Sequence, residues 1–362
     1  MTIMLKRQAA DEHRAGDRPE PASDSEGFDE YLGPADQRYF GSGYRRVKHQ
    51  ILELAIRCDP DGSAALAGMG AALYPHDWSN DPAGVPRKPH LSTIDALVMS
   101  VSMAEEHLRH VDGLSEAQLG DAWLVEIDVK AGAQPWDQLN NIPLFCRRTS
   151  LDRSGTSAES AFKAKVGAMS VVVRLRHNFP VLDDAAARQS ERDKGVRNAS
   201  CLGRALEGRY RETGHKSSVR LVEVGGEIVM DSTHRIAPRG QSRPEGLESS
   251  YWPSVTVIDC LVIASQMAQV LIYAAPSISR STVSNLWMRR ARFTAKRPPQ
   301  AGTYASAVLR ITGERSFDRG KEGSLHSVDV ECSNLFGIAA SASLAYTLPV
   351  ADGELPAPRD RD

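Results

Sequence analysis

The sequence has no block of like charge: its 362 residues carry 44 Lys and Arg against 46 Asp and Glu, a net charge of −2. Nucleic-acid binding and adhesion to an anionic bilayer both need a basic footprint, so neither partner is expected. Cysteine is scarce as well. Cys58, Cys146, Cys201, Cys260 and Cys332 are scattered, odd in number and form no Cys-x-x-Cys. That argues against a disulfide framework or a zinc site and for a reducing cytoplasm. No apolar run approaches the roughly 18 residues of a membrane span, and Met1-Thr-Ile-Met-Leu5 is too short for the core of a signal peptide. There is no Gly-x-Ser-x-Gly elbow, and Gly41-Ser-Gly43 lacks the Walker lysine spacing. The glycine pair reads as a structural turn, although Arg45 or Arg46 beside it could reach a phosphate.

What is present is ordinary soluble composition, 41% apolar and 25% charged, over a length that suits about two domains. It also contains one stretch twice. Lys88-Pro-His-Leu-Ser-Thr-Ile-Asp95 and the run to Ala104 return, 164 positions later, as Trp252 to Ala268. Pro89, Ile94, Asp95, Leu97, Val98, Met103 and Ala104 recur as Pro253, Ile258, Asp259, Leu261, Val262, Met267 and Ala268. The register holds without a gap through Trp123 and Trp287 to Ala131 and Ala295, which argues for duplication of one structural unit. The recurring tryptophans are most simply packing residues. Each copy opens a helix with a capping box, Ser92 before Asp95 and Thr256 before Asp259. Ile94, Leu97, Val98, Val101, Ala104 and Leu108 share one helix face, and the second helix is apolar nearly all round, so it should be enclosed on most sides.

Residues 1–27 are polar, aperiodic and expected to be a disordered tail. The first unit, 28–180, reads as strands at 50–57 and 63–74, the helix, then strands at 123–130, 142–149, 159–165 and 168–177. Ala and Gly in Ser63–Tyr74 imply a close neighbour. Trp123-Leu-Val-Glu-Ile-Asp-Val-Lys130 alternates strictly, with one wet face. Residues 181–200 read as a linker. The second unit, 201–350, reads as strands at 218–224 and 227–236, a helix at 256–273, then strands at 286–295, 303–312, 324–331 and 336–347. Residues 351–362 form a second tail. An antiparallel sheet wrapped around one long helix is the hot-dog arrangement, so the expected fold is α+β, a double hot-dog whose two sheets join edge to edge and so hide an edge strand of each half.

The blocks Tyr31-Leu-Gly-Pro34, Arg38-Tyr-Phe-Gly-Ser-Gly-Tyr44, Asp77-Trp-Ser79, Lys88 to Asp95, Val129-Lys-Ala-Gly132 and Leu286-Trp-Met-Arg289 resemble the avirulence D protein (AvrD) family over roughly residues 28–350. The resemblance implies a bacterial, cytoplasmic enzyme of elicitor biosynthesis. It would join a β-ketoacyl group from a thioester carrier, acyl carrier protein or acyl-CoA, to a pentulose such as xylulose, giving a syringolide-type acyl glycoside. The sequence is also similar, more distantly, to the butenolide-forming A-factor synthases. No cofactor or metal is implied, and a homodimer is possible.

The duplication sorts candidate residues. Positions shared by both halves suit the needs of the fold; positions that differ suit chemistry. His90 differs, its counterpart being Ser254. It stands two residues before a helix cap, where the N–H groups of Leu91, Ser92 and Thr93 should point outward with the positive end of the helix dipole. A thioester carbonyl there would be polarised, and the imidazole could take the proton of a sugar hydroxyl; the plain alternative is a histidine bonded to a neighbouring loop. Asp95 is a second catalytic candidate and Asp259 a substrate-binding one, yet both recur and both complete capping boxes. Arg289 replaces Val125 on an apolar strand face and needs an anionic partner: a substrate oxyanion, a salt bridge to Asp95 or Asp259, or a twist toward water. Lys88 and Lys130 are weaker candidates, since exposed lysines are usually just solvated. Glu106-His-Leu-Arg-His110 could hold a metal, but helix C-terminal charge is the simpler role. The rival readings are a hot-dog dehydratase or thioesterase on acyl thioesters, and a non-catalytic binder of such a small molecule.

Overall fold

The computed structural model describes residues 27–349 apart from 59–62, 82–83, 179–203, 240–243, 275–277, 279–282, 284–285, 300–303 and 321–322. The two expected tails, apart from Gly27, and the expected linker at 181–200 lie outside the described residues. In chain order the first repeat comprises a short helix α1 (Phe28–Leu32), strands β1 (Lys48–Cys58) and β2 (Ala64–Leu73), the long helix α2 (Thr93–His110), a short α3 (Glu116–Asp121), and strands β3 (Trp123–Lys130), β4 (Ile142–Ser154), β5 (Ser157–Val166) and β6 (Met169–Asn178). The second comprises α4 (Arg204–Arg211), β7 (Thr213–Val224), β8 (Glu227–Pro238), α5 (Val257–Tyr273), β9 (Trp287–Ala295), β10 (Tyr304–Asp318), β11 (Ser324–Leu335) and β12 (Ile338–Leu348).

All twelve strands form one antiparallel sheet in the order β1-β2-β4-β5-β6-β3-β9-β12-β11-β10-β8-β7. The order reads the same from either end once β1 is matched to β7, β2 to β8 and so on, so the fold is a double hot-dog. The halves join through β3 and β9, where Glu126 faces Thr294, Asp128 faces Arg292 and Lys130 faces Arg290. Asp128 and Arg292 are themselves 164 positions apart, so the pseudo-twofold axis of the duplication passes between them. Across this seam Arg290 meets Asp128 at 2.5 Å and Arg292 meets Glu126 at 3.1 Å. Both arginines are about half exposed, so these pairs contribute at most about 1 kcal/mol each; the shared ladder does most of the joining.

Each long helix starts where its capping box starts it. Ser92 Oγ accepts from the Asp95 N–H at 3.2 Å and Asp95 accepts from the Ser92 N–H at 2.6 Å; Thr256 and Asp259 repeat the pair at 3.1 and 2.8 Å. Behind the cap, Ile94, Leu97, Val98, Val101 and Leu108 of α2 and nearly all of α5 are buried in a core continuous through both halves. The small residues of β2 do meet close neighbours: a side chain at Gly68 would fall 1.9 Å from the Glu53 carbonyl oxygen, and one at Gly70 would press on Leu144 and Met99.

Two details depart from the expected pattern. The alternation of β3 is interrupted by a bulge between Leu124 and Glu126, so Trp123 and Leu124 are both buried. The same bulge recurs in β9, between Met288 and Arg290. Residues 204–211 form a helix, and β7 starts at Thr213 rather than 218.

Candidate functional site

The pieces of the site come from both repeats. The chain before α2 and its first turn (Lys88–Thr93) reach the start of β9 and the flank of α5, and a cavity of about 850 Å³ lies between them. It is lined by Lys88, His90, Ser92, Trp136 and Arg289 near its mouth, by buried Arg38, by Leu261, Ala264, Ser265, Ala268 and Gln269 of α5 and by Ala291, Ala340, Ser341 and Ala342 of the sheet. A volume of this order suits a metabolite-sized ligand, and an apolar body with a few convergent polar groups is the usual form of such sites.

His90, Lys88, Ser92, Thr93 and Arg289 therefore meet at one place. His90 is half-buried and lies edge-on to Trp78, with ring centroids 6.3 Å apart. Burial lowers its pKa below the ordinary histidine value; a hydrogen bond with the Lys88 backbone and the charge of Asp95 act against that shift without cancelling it. The ring is thus neutral at pH 7, the form a general base requires. Lys88 is exposed and pairs with Asp137 at 2.7 Å on the rim.

The helix end differs from expectation. The Leu91 N–H donates to the Trp136 carbonyl at 2.8 Å and the Ser92 N–H to Asp95, so of the three amides only that of Thr93 is left for a ligand among the described residues. Arg289 also differs. It sits on the β9 bulge, which turns its side chain off the apolar face: it is exposed, donates to the Gly132 carbonyl at 3.3 Å and forms no ion pair with Asp95 or Asp259.

Asp95 and Asp259 are not on the cavity wall. Asp95 is wholly buried, accepting from His49 Nε2 at 2.7 Å and from the Tyr74 hydroxyl at 2.5 Å besides the cap. Asp259 matches it, with His215 Nε2 at 2.7 Å and the Thr213 hydroxyl at 2.8 Å. Burial would raise the Asp259 pKa, but His215 and the Thr256 bonds hold it below the usual carboxylate range. Each repeat thus anchors its helix cap to its first strand by a buried His–Asp pair. Asp95 reaches the cavity through Ser92, whose Oγ also meets the Tyr39 hydroxyl at 2.7 Å, and through Tyr74, whose ring stacks on that of Tyr39.

Sequence reasoning missed Arg38, which lines the cavity although only 4% exposed. Its guanidinium donates to Gln266 Oε1 at 2.8 Å, to the Gly33 carbonyl at 2.8 Å and to Asp29 at 2.5 Å, so it ties the first repeat's N-terminal segment to the middle of α5. The sequence marked it only as the start of the Arg38–Tyr44 block and by its place near Gly41 and Gly43. A side chain at Gly43 would fall 1.9 Å from the Trp78 carbonyl oxygen, which is the close approach that brings this segment to the mouth. Arg45 lies over the Tyr44 ring and Arg46 pairs with Asp77, and neither lines the cavity. His107 is buried against Phe162 and His110 pairs with Glu106 at 3.0 Å; among the described residues no cluster could hold a metal ion. Burial pushes the Cys332 thiol, on the cavity wall, up to about 12, so it is no nucleophile at neutral pH.

The matching place at the N-terminus of α5 is nearly closed, at about 20 Å³. There Leu124, Val125 and Ile127 stand for Met288, Arg289 and Ala291, while Val255 and Val257 stand for Leu91 and Thr93. Ser254, the counterpart of His90, accepts from Arg209 at 2.7 Å, and Arg209 forms a buried ion pair with Glu248 at 2.5 Å. One end of the duplicated unit is open and its twin is plugged.

The family model for Pseudomonas avirulence D protein (AvrD) matches residues 24–349. The chain belongs to the AvrD family. No match was found among curated proteins. Among solved structures, similarity extends to a tesB protein of Mycobacterium avium subsp. paratuberculosis, at 11% identity and a TM-score of 0.35 over 79% of this chain and 93% of that one. A 12:0-ACP thioesterase of Umbellularia californica aligns at 8% identity and a TM-score of 0.38 over 78% and 94%. The dehydratase domain of a mycocerosic acid synthase-like PKS aligns at 12% and 0.31 over 84% and 95%. None of the helices among the described residues is long and apolar enough to cross a membrane.

Proposed function

We propose that this AvrD-family protein transfers a β-ketoacyl group from an acyl carrier protein or coenzyme A thioester to a sugar-like alcohol such as a pentulose, giving an acyl glycoside of the syringolide type. The observation that carries the reading is the cavity itself, lined mainly by apolar side chains along α5 and the second half of the sheet, with Ser265, Gln269 and Ser341 among them, and with neutral His90 standing at the N-terminal end of α2. The acyl chain fills the apolar part and its thioester carbonyl rests at the helix end. There the Thr93 N–H and the helix dipole stabilise the oxyanion. His90 takes the proton of the attacking hydroxyl as the new C–O bond forms, and returns it to the thiolate as the C–S bond breaks. Arg289 and Lys88 sit where the carrier's phosphates or the sugar would lie. Asp95 supports this from behind by fixing the cap that carries Ser92 and Thr93.

The test is to incubate the purified protein with a 3-oxoacyl-coenzyme A and xylulose and to follow products by mass spectrometry. The acylated sugar and free thiol are expected, and His90→Ala should fold normally and give no acylated sugar. Product from His90→Ala would remove the histidine from the mechanism. Release of free 3-oxo acid alone would make the protein a thioesterase, loss of water from the acyl chain a dehydratase, and tight binding without turnover a carrier.

A further inference from the structure

The duplication permits a residue-by-residue comparison of the two sheet faces beneath the two helices. With β3 and β9 related by 164 positions, the strand pairings set matching rows across the two halves of the sheet. In the first repeat Ile127 pairs with Val173 and Val173 with Phe162, one row running across the sheet under α2. In the second the same row is Ala291, Ala342 and Val330 under α5. Every member has been cut down, and all three line the cavity. The next row, one pleat further from the mouth, runs the other way. Val129, Ala164 and Cys146 are matched by the larger Phe293, Cys332 and Leu309. Val171, matched by Ala340, is the one member of that row that shrinks. Phe293 lines both the cavity and the small closed pocket at the N-terminus of α5, so it is the wall between them.

We infer that the second repeat measures the length of the acyl chain: the chain lies over Ala291, Ala342 and Val330, and Phe293 with Leu309 forms the floor that stops it. This deepens the reading that the cavity takes an acyl thioester, and rests on it. The first repeat, with the same backbone and a full row, has no room for a chain, so each polypeptide holds one.

The first repeat also supplies the test substitutions, since its residues already fit this frame. Ala342→Val and the double variant Ala291→Ile/Ala342→Val refill the row; Phe293→Val lowers the floor. Binding of a series of 3-oxoacyl-coenzyme A thioesters of increasing chain length is measured by calorimetry with the full chain, and melting curves check folding. The refilled variants are expected to keep short chains and to bind long ones roughly tenfold or more weakly, the scale of one misfit methylene in an apolar pocket. Phe293→Val should move the preferred length upward, and the wild type should bind one thioester per chain. An unchanged length preference in Phe293→Val together with folded Ala342→Val overturns the inference, as does a stoichiometry of two. Should the refilled variants fail to fold, Phe293→Val decides alone, because the upward shift is either seen or not. A length preference that moves as expected in a protein that never acylates a sugar leaves this inference standing and removes the proposed reaction.

Discussion

The two buried aspartates provide a perturbation with its own internal control. Asp95→Ala removes the cap acceptor and takes one bond each from His49 Nε2, whose side chain is 2% exposed, and from the Tyr74 hydroxyl, which keeps Ser92 and Tyr39 beside it. A lost cap costs about 1 kcal/mol, a lost bond to a buried carboxylate about 1.5–3 kcal/mol and a partly replaced one about 0.5–1.5 kcal/mol, so the expected loss is about 3–5 kcal/mol. Asp259→Ala removes a cap of the same form, in a setting less closed to water. Thr213 can keep its hydroxyl on the Tyr210 carbonyl at 2.8 Å, and the His215 side chain is 13% exposed against 2% for His49. Its loss should be nearer about 2–4 kcal/mol. Urea unfolding of both variants against the wild type measures the difference. Asp95→Asn then separates stability from chemistry. The amide oxygen can serve Ser92 and Tyr74 in place of Oδ2, and its NH2 group can donate to the other tautomer of His49. Most of the stability should survive, and turnover should fall by less than about tenfold, because the carboxylate does not face the cavity. A well-folded Asp95→Asn that loses about a hundredfold or more in turnover, the scale of a missing acid–base group, would refute this and return Asp95 to the reaction. An Asp259→Ala as costly as Asp95→Ala would refute the partner-by-partner accounting.

Burial lowers the His90 pKa, so the base form persists as the solution is acidified: the acid limb of kcat/KM should lie below the ordinary histidine range, and a limb at or above that range would exclude His90 as the base. His234, enclosed by Ser217 and Ser232 at 2.8 Å each, is pushed down to about 3 by burial and by nearby His215. Because the unfolded chain then binds the proton first, stability should fall with falling pH below the ordinary histidine value, by up to about 1.4 kcal/mol per pH unit from this group. His234→Gln should flatten that slope in urea titrations repeated across pH. In the plugged twin site, Arg209→Met should cost about 3–5 kcal/mol by leaving Glu248 charged and buried alone; adding Glu248→Gln, which still accepts from the Leu124 N–H, should recover much of it. A double-mutant cycle showing no coupling would mean that the pair does not hold the plug.

The repeated frame was legible because its signals are local: two capping boxes at one offset, helix periodicity after each, and strands of period two. The site was legible only where it lay on that frame. His90, Ser92 and Thr93 sit on the cap, and Arg289 was marked by its mismatch with Val125. Its environment was misjudged because a bulge leaves no mark in the residue pattern, and here one extra residue turned an inward position outward. The His–Asp anchors were invisible for a related reason. His49 and His215 lie 166 rather than 164 residues apart, and each reaches its aspartate across more than forty positions. Arg38 meets Gln266 over 228 positions, a pairing that no periodicity encodes. The α4 helix, Arg204–Arg211, is polar with Gly208 inside it, so it carried no apolar stripe to announce it.

The two halves share one fold and have divided its costs. A dry void of about 850 Å³ would destabilise the core by about 20 kcal/mol at the usual penalty per unit volume, more than the whole stability of a typical domain. Such a space is tolerable only if water or ligand enters it, which the exposed mouth at Lys88, Trp287 and Arg289 allows, and only if the rest of the core stays full. The first repeat meets the second condition. Its row of Ile127, Val173 and Phe162 is intact, its α2 carries Glu105 and Arg109 where α5 carries the cavity-lining Gln269 and Tyr273, and the twin pocket is nearly filled, with Glu248 on its wall held by Arg209. The solid repeat then contributes the one thing a filled unit can, a rigid helix end bearing His90, and aims it at the space its twin has opened. Copying the unit made this possible: a single hot-dog would have had to hold its helix end rigid and hollow its own floor with the same few rows of side chains.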